Sequence, residues 1–305
     1  MSARPTASQG APPHPLVLWL QAARPKTLPA AAAPVLVGTA VAWREGGLHL
    51  PSALAALLGA LCIQIGTNFA NDLFDARKGA DTAERMGPPR AVAQGWASPR
   101  QMAWATAIAF LAAAACGLYL VLRAGWPIVA LGLASIAAGV GYTAGRYALA
   151  YVGLGDLFVF LFFGLAAVVG TAYVQRLAVP TSAWLAAVPV GLLSTAILVV
   201  NNLRDAPTDA AAGKRTLVVR LGTRFGRLEY AVLVLGAHAW TVLWGLLDRR
   251  APGVLLTIGS LPLAARAVRR VARLSGARLN PWLGRTAGVL LLHALLLSAG
   301  LLLGG

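Results

Sequence analysis

Residues 52–75 read Ser52-Ala-Leu-Ala-Ala-Leu-Leu-Gly-Ala-Leu-Cys62-Ile-Gln64-Ile-Gly-Thr-Asn68-Phe-Ala-Asn71-Asp72-Leu-Phe-Asp75, an apolar block that ends in four oxygen-bearing side chains. Apolar blocks of roughly 18 to 25 residues are long enough to cross a hydrocarbon core. The pattern recurs along the chain, near 27–44, 52–75, 99–122, 126–144, 153–176, 182–204, 228–247, 252–270 and 283–303. Composition agrees: 58% of the 305 residues are hydrophobic and 12% charged, where a soluble domain carries about 25% charged. Mean hydropathy is +0.70. The expectation is an all-α, polytopic membrane protein with about nine transmembrane helices, residues 16–305 forming one domain. Several blocks contain Pro (Pro34, Pro127, Pro189, Pro262), which membrane helices accept more readily than soluble ones. Residues 1–15 are rich in Pro, Ala and Ser, carry no signal-peptide pattern, and read as a disordered cytoplasmic tail.

A net charge of +16 raises the question of nucleic acid, and its distribution answers it. With nine spans and the N-terminus in the cytoplasm, 21 of the 26 Lys and Arg fall on the cytoplasmic side. Arg44, Arg123, Arg176, Arg249 and Arg250 make up the opposite side. That asymmetry orients the chain N-in and C-out. The basic charge then reports topology and contact with anionic lipid in the bilayer, with no nucleic-acid partner. The run Arg266, Arg269, Arg270, Arg273 and Arg278 belongs to this class. Cys62 and Cys116 lie inside spans without ligand spacing and read as packing residues; His14, His49, His238 and His293 form no cluster in the sequence.

The chain has ten acidic residues, and six of them, Asp72, Asp75, Asp81, Glu84, Asp205 and Asp209, stand at or just beyond the ends of the second and sixth spans. Asn68, Asn71, Asp72 and Asp75 have offsets of 0, 3, 4 and 7, which place them on one helical face. The second cluster reads Asn201-Asn202-Leu-Arg204-Asp205-Ala-Pro207-Thr-Asp209, again one face, with Pro207 able to distort the turn. Both faces end on the cytoplasmic side and point into one mouth. Mg²⁺ takes oxygen ligands, commonly one or two carboxylates together with phosphate oxygens. Carboxylates alone repel a diphosphate; bridged by metal they hold it and offset the charge that grows on the leaving group. The metal candidates are Asn68, Asp72, Asp75, Asn202, Asp205 and Asp209. Lys78, Arg85, Arg90, Lys214 and Arg215 follow the clusters and can reach the remaining phosphate oxygens.

At these two clusters the sequence resembles the UbiA superfamily of intramembrane prenyltransferases, whose hallmarks are an Asn/Asp-rich motif after the second helix and Asp-x-x-x-Asp after the sixth. The matches are Asn71-Asp72-x-x-Asp75 and Asp205-x-x-x-Asp209; the usual third acid of the first motif falls at Gly79, with Asp81 nearby. Within the superfamily the chain looks most like 1,4-dihydroxy-2-naphthoate polyprenyltransferases. Ala23-Arg24-Pro25-Lys26-Thr27-Leu28-Pro29, Gln64-Ile-Gly-Thr-Asn68, Lys78-Gly-Ala-Asp81-Thr82 with Gly87-Pro88-Pro89-Arg90, Asn201-Asn202-x-Arg204-Asp205 with Gly213-Lys214-x-Thr216-Leu217, and the stretch Gly153–Gly164 carry this likeness. Tyr142-Thr-Ala-Gly-Arg146 departs from the usual Tyr-Thr-Gly-Gly-Pro.

The resemblance implies one helical bundle around a central cavity open to lipid, in the inner (plasma) membrane, with Mg²⁺ as cofactor. It implies that a polyprenyl diphosphate prenylates 1,4-dihydroxy-2-naphthoate with loss of CO₂ and diphosphate, giving demethylmenaquinone. Asp72, Asp75, Asp205, Asp209 and Tyr142 are then the catalytic candidates, with Tyr142 or Phe69 offering an aromatic face to a carbocation-like centre. Asn68, Asn71, Asn201, Asn202, Lys78, Arg90 and Lys214 would bind substrate, and Arg24, Lys26 or Arg146 would hold the acceptor carboxylate. Other readings are a different aromatic acceptor, such as 4-hydroxybenzoate or homogentisate, and a secondary transporter. A transporter site sits near the midplane, whereas both acidic clusters lie at span ends. The Asp-Gly-x-x-Ala-Arg motif of CDP-alcohol phosphotransferases is absent.

Overall fold

The computed structural model describes residues 13–79, 86–145 and 148–303. Asp81, Glu84, Arg85 and Arg146, and most of the expected tail, lie outside the described residues. The described chain contains helices and no strand. A short α1 (Pro15–Ala23) leads through a 3₁₀ turn, Pro25–Thr27, into α2 (Pro29–Arg44) and α3 (Leu50–Arg77). Then come α4 (Pro99–Ala124), α5 (Trp126–Gly141), α6 (Gly155–Val159), a π-helical stretch Phe160–Ala166, and α7 (Ala167–Arg176). The C-terminal part holds α8 (Thr181–Ala211), α9 (Leu217–Leu247), a 3₁₀ segment Pro252–Ser260, α10 (Leu261–Val271), a 3₁₀ turn Gly276–Leu279 and α11 (Asn280–Leu303).

Proline punctuates the bundle. Helices α1 to α5 and α10 each begin with Pro in the first turn, where its missing N–H costs nothing and its fixed φ suits a helix start. Ser98 adds a capping box with Gln101 at the start of α4. Pro207 does not end α8, which continues to Ala211.

Among the described residues six helices are long and apolar enough to cross a membrane: Leu50–Arg77, Pro99–Ala124, Gly155–Arg176, Thr181–Ala211, Leu217–Leu247 and Gly276–Leu303. Length alone therefore does not reach the expected nine. Helices α2 and α5 have 16 residues each, or about 24 Å of rise against a core of about 30 Å. Segment 252–271 is part 3₁₀ and part α. All three nevertheless occupy stretches expected to be helical.

Helix α8 forms the buried centre, whereas α4 is largely exposed and carries Trp104, Ile108, Leu111 and Leu122 on its outer face. Around α8 pack α2, α9, α11 and the π-helical stretch, while α3 pairs with α4 and α5. Small residues set the closest crossings. A Cβ on Gly164 would come within 2.6 Å of Gly191 Cα, and one on Gly300 within 2.0 Å of the Gly253 carbonyl oxygen. Close backbone approach of this kind maximises dispersion contact where lipid provides no hydrophobic drive between helices.

Two expectations change. Phe69 does not face the central cavity; one residue past Asn68, it is rotated about 100° around the helix and packs edge-on to Trp19 at 5.7 Å. His238 and His293 do have partners. Their rings meet edge to face at 4.8 Å, and Ser260 Oγ lies 2.8 Å from His238 Nε2 and 3.3 Å from His293 Nδ1. Burial where the 3₁₀ segment Pro252–Ser260 packs against α9 and α11 accounts for this, since a polar group in an apolar interior needs a partner.

Candidate active site

A cavity of about 1000 Å³ runs into the bundle. Its polar end carries both acidic motifs: Asn68, Asn71, Asp72 and Asp75 from α3, and Asn201, Asn202, Asp205 and Asp209 from α8. Arg24, Lys26, Arg90, Tyr142, Arg204 and Lys214 line the same space. Away from this end the wall is apolar, with Ile63, Leu131, Ile136, Phe162 and Val174 among its side chains. The two faces inferred from residue spacing thus meet in one site.

On α3, Asn68 and Gln64 position the entry segment. Asn68 Nδ2 donates to the Ala23 carbonyl at 2.9 Å and to Thr27 Oγ1 at 3.1 Å, and Gln64 Nε2 donates to Thr27 Oγ1 at 3.1 Å. Arg24 itself holds a left-handed conformation, φ +53°, which costs a non-glycine residue about 1 kcal/mol. The turn brings Arg24 and Lys26 to the cavity wall. Asn71 Oδ1 accepts the Thr143 hydroxyl at 2.8 Å, tying motif one to the end of α5.

Asp72 is buried and accepts the backbone N–H groups of Ala91 and Val92 at 3.0 and 3.1 Å. Asp75 accepts from Arg90 Nη2 at 3.1 Å and from Tyr151 Oη at 3.4 Å. Lys214 Nζ stands 3.2 Å from Asp75 and 3.8 Å from Asp209, joining the two motifs. Asp205 takes a two-pronged pair from its neighbour, Arg204 Nε to Oδ1 at 2.8 Å and Nη2 to Oδ2 at 2.6 Å. The same guanidinium donates to Asn201 Oδ1 at 2.7 Å and Asn280 Oδ1 at 3.1 Å, and Asn280 Nδ2 donates to the Met86 carbonyl at 2.8 Å.

Lys78 does not line the cavity wall. Its ammonium donates to the carbonyls of Thr143 and Gly145 at 2.6 and 3.0 Å and sits 4.0 Å above the Tyr151 ring. Burial lowers its pKa, the Asp75 carboxylate opposing this in part and the Lys214 ammonium adding to it. Tyr142 lines the cavity with its hydroxyl against α6, where a Cβ on Gly155 would approach it to 3.1 Å. Asn202 is buried and lines the wall; Arg215 is exposed.

The donor set suits a hard cation. Among the described residues that line the cavity there are carboxylate, amide and hydroxyl oxygens and no His or Cys, the chemistry Mg²⁺ prefers. Among the described residues no three His, Cys, Asp or Glu side chains stand together as a preformed metal cluster. The carboxylates are matched instead with guanidinium, ammonium and backbone N–H groups. A cation would be held by Asp72, Asp75, Asp205 and Asp209, with Asn68 and Asn202 nearby, after some of these partners exchange.

Three residues join the site that spacing did not single out. Tyr151 lies beneath two ammonium groups, Lys78 at 4.0 Å and Lys214 at 5.3 Å from its ring centroid. Arg204 sits within the second motif, yet its grip on Asp205 is a matter of side-chain geometry. Asn280, 76 residues further on, begins α11.

Residues 31–287 match the UbiA prenyltransferase family. The chain is 41% identical to the 1,4-dihydroxy-2-naphthoate octaprenyltransferase of Mycobacterium tuberculosis, over 94% of this chain and 97% of that protein. It is 38% identical to the enzyme of the same name from Escherichia coli, over 93% of this chain and 95% of that protein. Its fold is similar to that of a UbiA homolog from Archaeoglobus fulgidus bound to DMAPP and Mg²⁺, with a TM-score of 0.63 at 15% identity, covering 92% of this chain and 99% of that one. With most of its length matched and its two acidic motifs gathered in one intramembrane cavity, the chain belongs to the UbiA prenyltransferase family.

Proposed function

We propose that the protein transfers a polyprenyl group from a polyprenyl diphosphate to 1,4-dihydroxy-2-naphthoate, releasing CO₂ and diphosphate and forming demethylmenaquinol, the reduced form of demethylmenaquinone. The observation that carries this reading is the shape of one cavity: two carboxylate- and amide-bearing helix ends at its polar mouth, and an apolar shaft behind them. A diphosphate headed by a long hydrocarbon matches that division. The names of the relatives supply the acceptor.

In the proposed reaction the prenyl tail lies along the apolar wall, including Leu131, Ile136 and Phe162. Arg90 and Lys214 release part of their hold on Asp75 and donate to diphosphate oxygens. Bound between the acidic motifs, Mg²⁺ would neutralise charge on the diphosphate. As the allylic C–O bond lengthens, its electron pair leaves with the diphosphate, and Tyr142 presents its ring or hydroxyl to the cationic carbon. Arg24 and Lys26 hold the acceptor carboxylate at the wall they share. A ring carbon donates an electron pair to form the new C–C bond, and loss of CO₂ returns a pair to the ring. The working orientation has the N-terminus in the cytoplasm, the C-terminus opposite, and residues 16–305 acting as one domain in the inner membrane.

The test is turnover by purified protein with 1,4-dihydroxy-2-naphthoate, a polyprenyl diphosphate and Mg²⁺, beside Asp75→Ala and Asp205→Ala. Prenylated naphthoquinol from the wild type, absent with EDTA and in both variants, is the expected result. Diphosphate release without prenylated naphthoquinol would keep the prenyl chemistry and change the acceptor. Turnover that survives EDTA and both substitutions would overturn the proposal.

A further inference from the structure

Lys214 is delivered to the site by a turn rather than by a helix. After α8 ends at Ala211, Gly213 adopts φ +73°, and the Lys214 N–H donates back to the Asp209 carbonyl at 2.8 Å. This reversal of direction, which a glycine allows at little steric cost, folds the Lys214 side chain over the end of its own motif. Its ammonium then lies 3.2 Å from Asp75 on α3 and 3.8 Å from Asp209 on α8. The Lys214 side chain is 13% exposed and that of Asp75 2%.

Four carboxylates at one cavity mouth repel one another, and burial strengthens the repulsion. A single ammonium between Asp75 and Asp209 bridges motifs separated by more than a hundred residues of sequence. We propose that Lys214 is the counter-cation that bridges the two acidic motifs, beside Arg90 on Asp75 and Arg204 on Asp205, and that its ammonium passes from Asp75 and Asp209 to the diphosphate as a divalent cation takes up the carboxylates. This rests on the reading that a divalent cation accompanies the diphosphate. The consequence is an order of events. A divalent cation arriving alone has to share the carboxylates with Lys214, like charge beside like charge. A diphosphate arriving alone meets Asp75 and Asp209. Together, each relieves the other's repulsion, so cation and diphosphate bind with positive coupling. Lys214 thereby weakens the hold of the site on free metal ions until substrate is present.

The experiment measures Mn²⁺ binding by electron paramagnetic resonance on full-length protein in detergent, with and without the unreactive thiolo-diphosphate analogue of geranyl diphosphate. The wild type is expected to bind Mn²⁺ about tenfold or more tightly with the analogue than without it. In Lys214→Met the analogue-free affinity rises by about tenfold and the dependence on analogue largely disappears, while Lys214→Arg keeps the wild-type pattern. Melting in EDTA falls for Lys214→Met and recovers with Mn²⁺ more than for the wild type. A residue needed only for structure would lower Mn²⁺ affinity when removed, not raise it. Lys214→Gln, which keeps a donor for Asp75, is measured alongside and is expected to follow the methionine variant even if the latter folds poorly. Analogue-free Mn²⁺ affinity that is unchanged or weaker in the neutral variants would overturn the counter-cation role while leaving the divalent-cation reading intact. Failure of the wild type to bind Mn²⁺ even with the analogue would overturn that reading, and the proposal with it.

Discussion

Asp72 holds the backbone of Ala91: its Oδ2 accepts the Ala91 N–H at 3.0 Å, and Oδ1 accepts that of Val92 at 3.1 Å. The first acidic motif thus positions the connection between α3 and α4 as well as lining the cavity. That connection carries Pro88, Pro89, Arg90 and Trp96, all on the cavity wall, and delivers the Arg90 guanidinium to Asp75. Asp72 and Asp75, one helical turn apart, therefore organise one loop by two routes.

Asp72→Asn separates the routes. The amide has one acceptor oxygen and no charge, so at least one of the two N–H groups loses its partner. A hydrogen bond to a charged group is worth roughly 1.5–3 kcal/mol, enough to raise the open population of the loop by at least about tenfold. Limited proteolysis in detergent, with cleavage sites read by mass spectrometry, is expected to show faster cutting between Gly87 and Gly95. Turnover is expected to fall by about a hundredfold. A variant cut at the wild-type rate would remove Asp72 from loop positioning.

Arg204→Lys tests the grip on the second motif. The guanidinium serves Asp205, Asn201 and Asn280 at once, and a lysine ammonium cannot reproduce that planar fork. Arg204 and Asp205 are both buried; lysine keeps the charge but loses part of the fork, and each hydrogen bond to a charged group is worth roughly 1.5–3 kcal/mol. The expected result is a clear drop in melting temperature that Asn280→Ala, which also frees the Met86 carbonyl, reproduces in part. Because both act on one network, the double variant should lose less than the two single losses added together. Full additivity would show that Asn280 and Arg204 act separately.

What was legible in the sequence follows the range over which physics is local. Asn68, Asn71, Asp72 and Asp75 could be placed on one face because a helix converts offsets of 3, 4 and 7 into adjacency. Both motifs could be assigned to one mouth because the expected alternation of spans puts both span ends on the same side, and both line one cavity in the fold. Tyr151 and Asn280 could not be found this way; each reaches the site through a tertiary contact, Tyr151 from a loop and Asn280 from the start of a helix 76 residues beyond Arg204. The π-helical Phe160–Ala166 shows no readable period in the sequence, since it is apolar throughout and no polar residue marks a face. His238 and His293 stand on different helices and gain their contact only when α9 and the 3₁₀ segment close on α11.

Tyr151 makes two separable contributions, which two substitutions distinguish. Its ring lies under the ammonium groups of Lys78 and Lys214, and its hydroxyl reaches Asp75 at 3.4 Å. Tyr151→Phe keeps the ring and is expected to change KM for the prenyl diphosphate by less than about threefold. Tyr151→Leu removes cation–π contacts to two ammonium groups, worth roughly 1–2 kcal/mol, and should raise that KM by about five- to thirtyfold. Equal effects of the two variants would shift the role from the ring to the hydroxyl.

Gly132 tests the assignment of the apolar shaft to the prenyl tail. It lines the cavity on α5, and a Cβ added there meets no atom within 4 Å. A larger side chain therefore projects into open space and need not displace a packed neighbour, so the fold should tolerate it. Gly132→Leu fills volume that a long hydrocarbon would occupy. With a long polyprenyl diphosphate, kcat/KM is expected to drop by about tenfold or more, the equivalent of about 1.4 kcal/mol or more. With geranyl diphosphate it should stay within about twofold, because a two-isoprene tail ends nearer the polar mouth. A uniform loss on both substrates would place the obstruction at the reacting centre, and no loss on either would mean that the tail leaves the cavity by another wall.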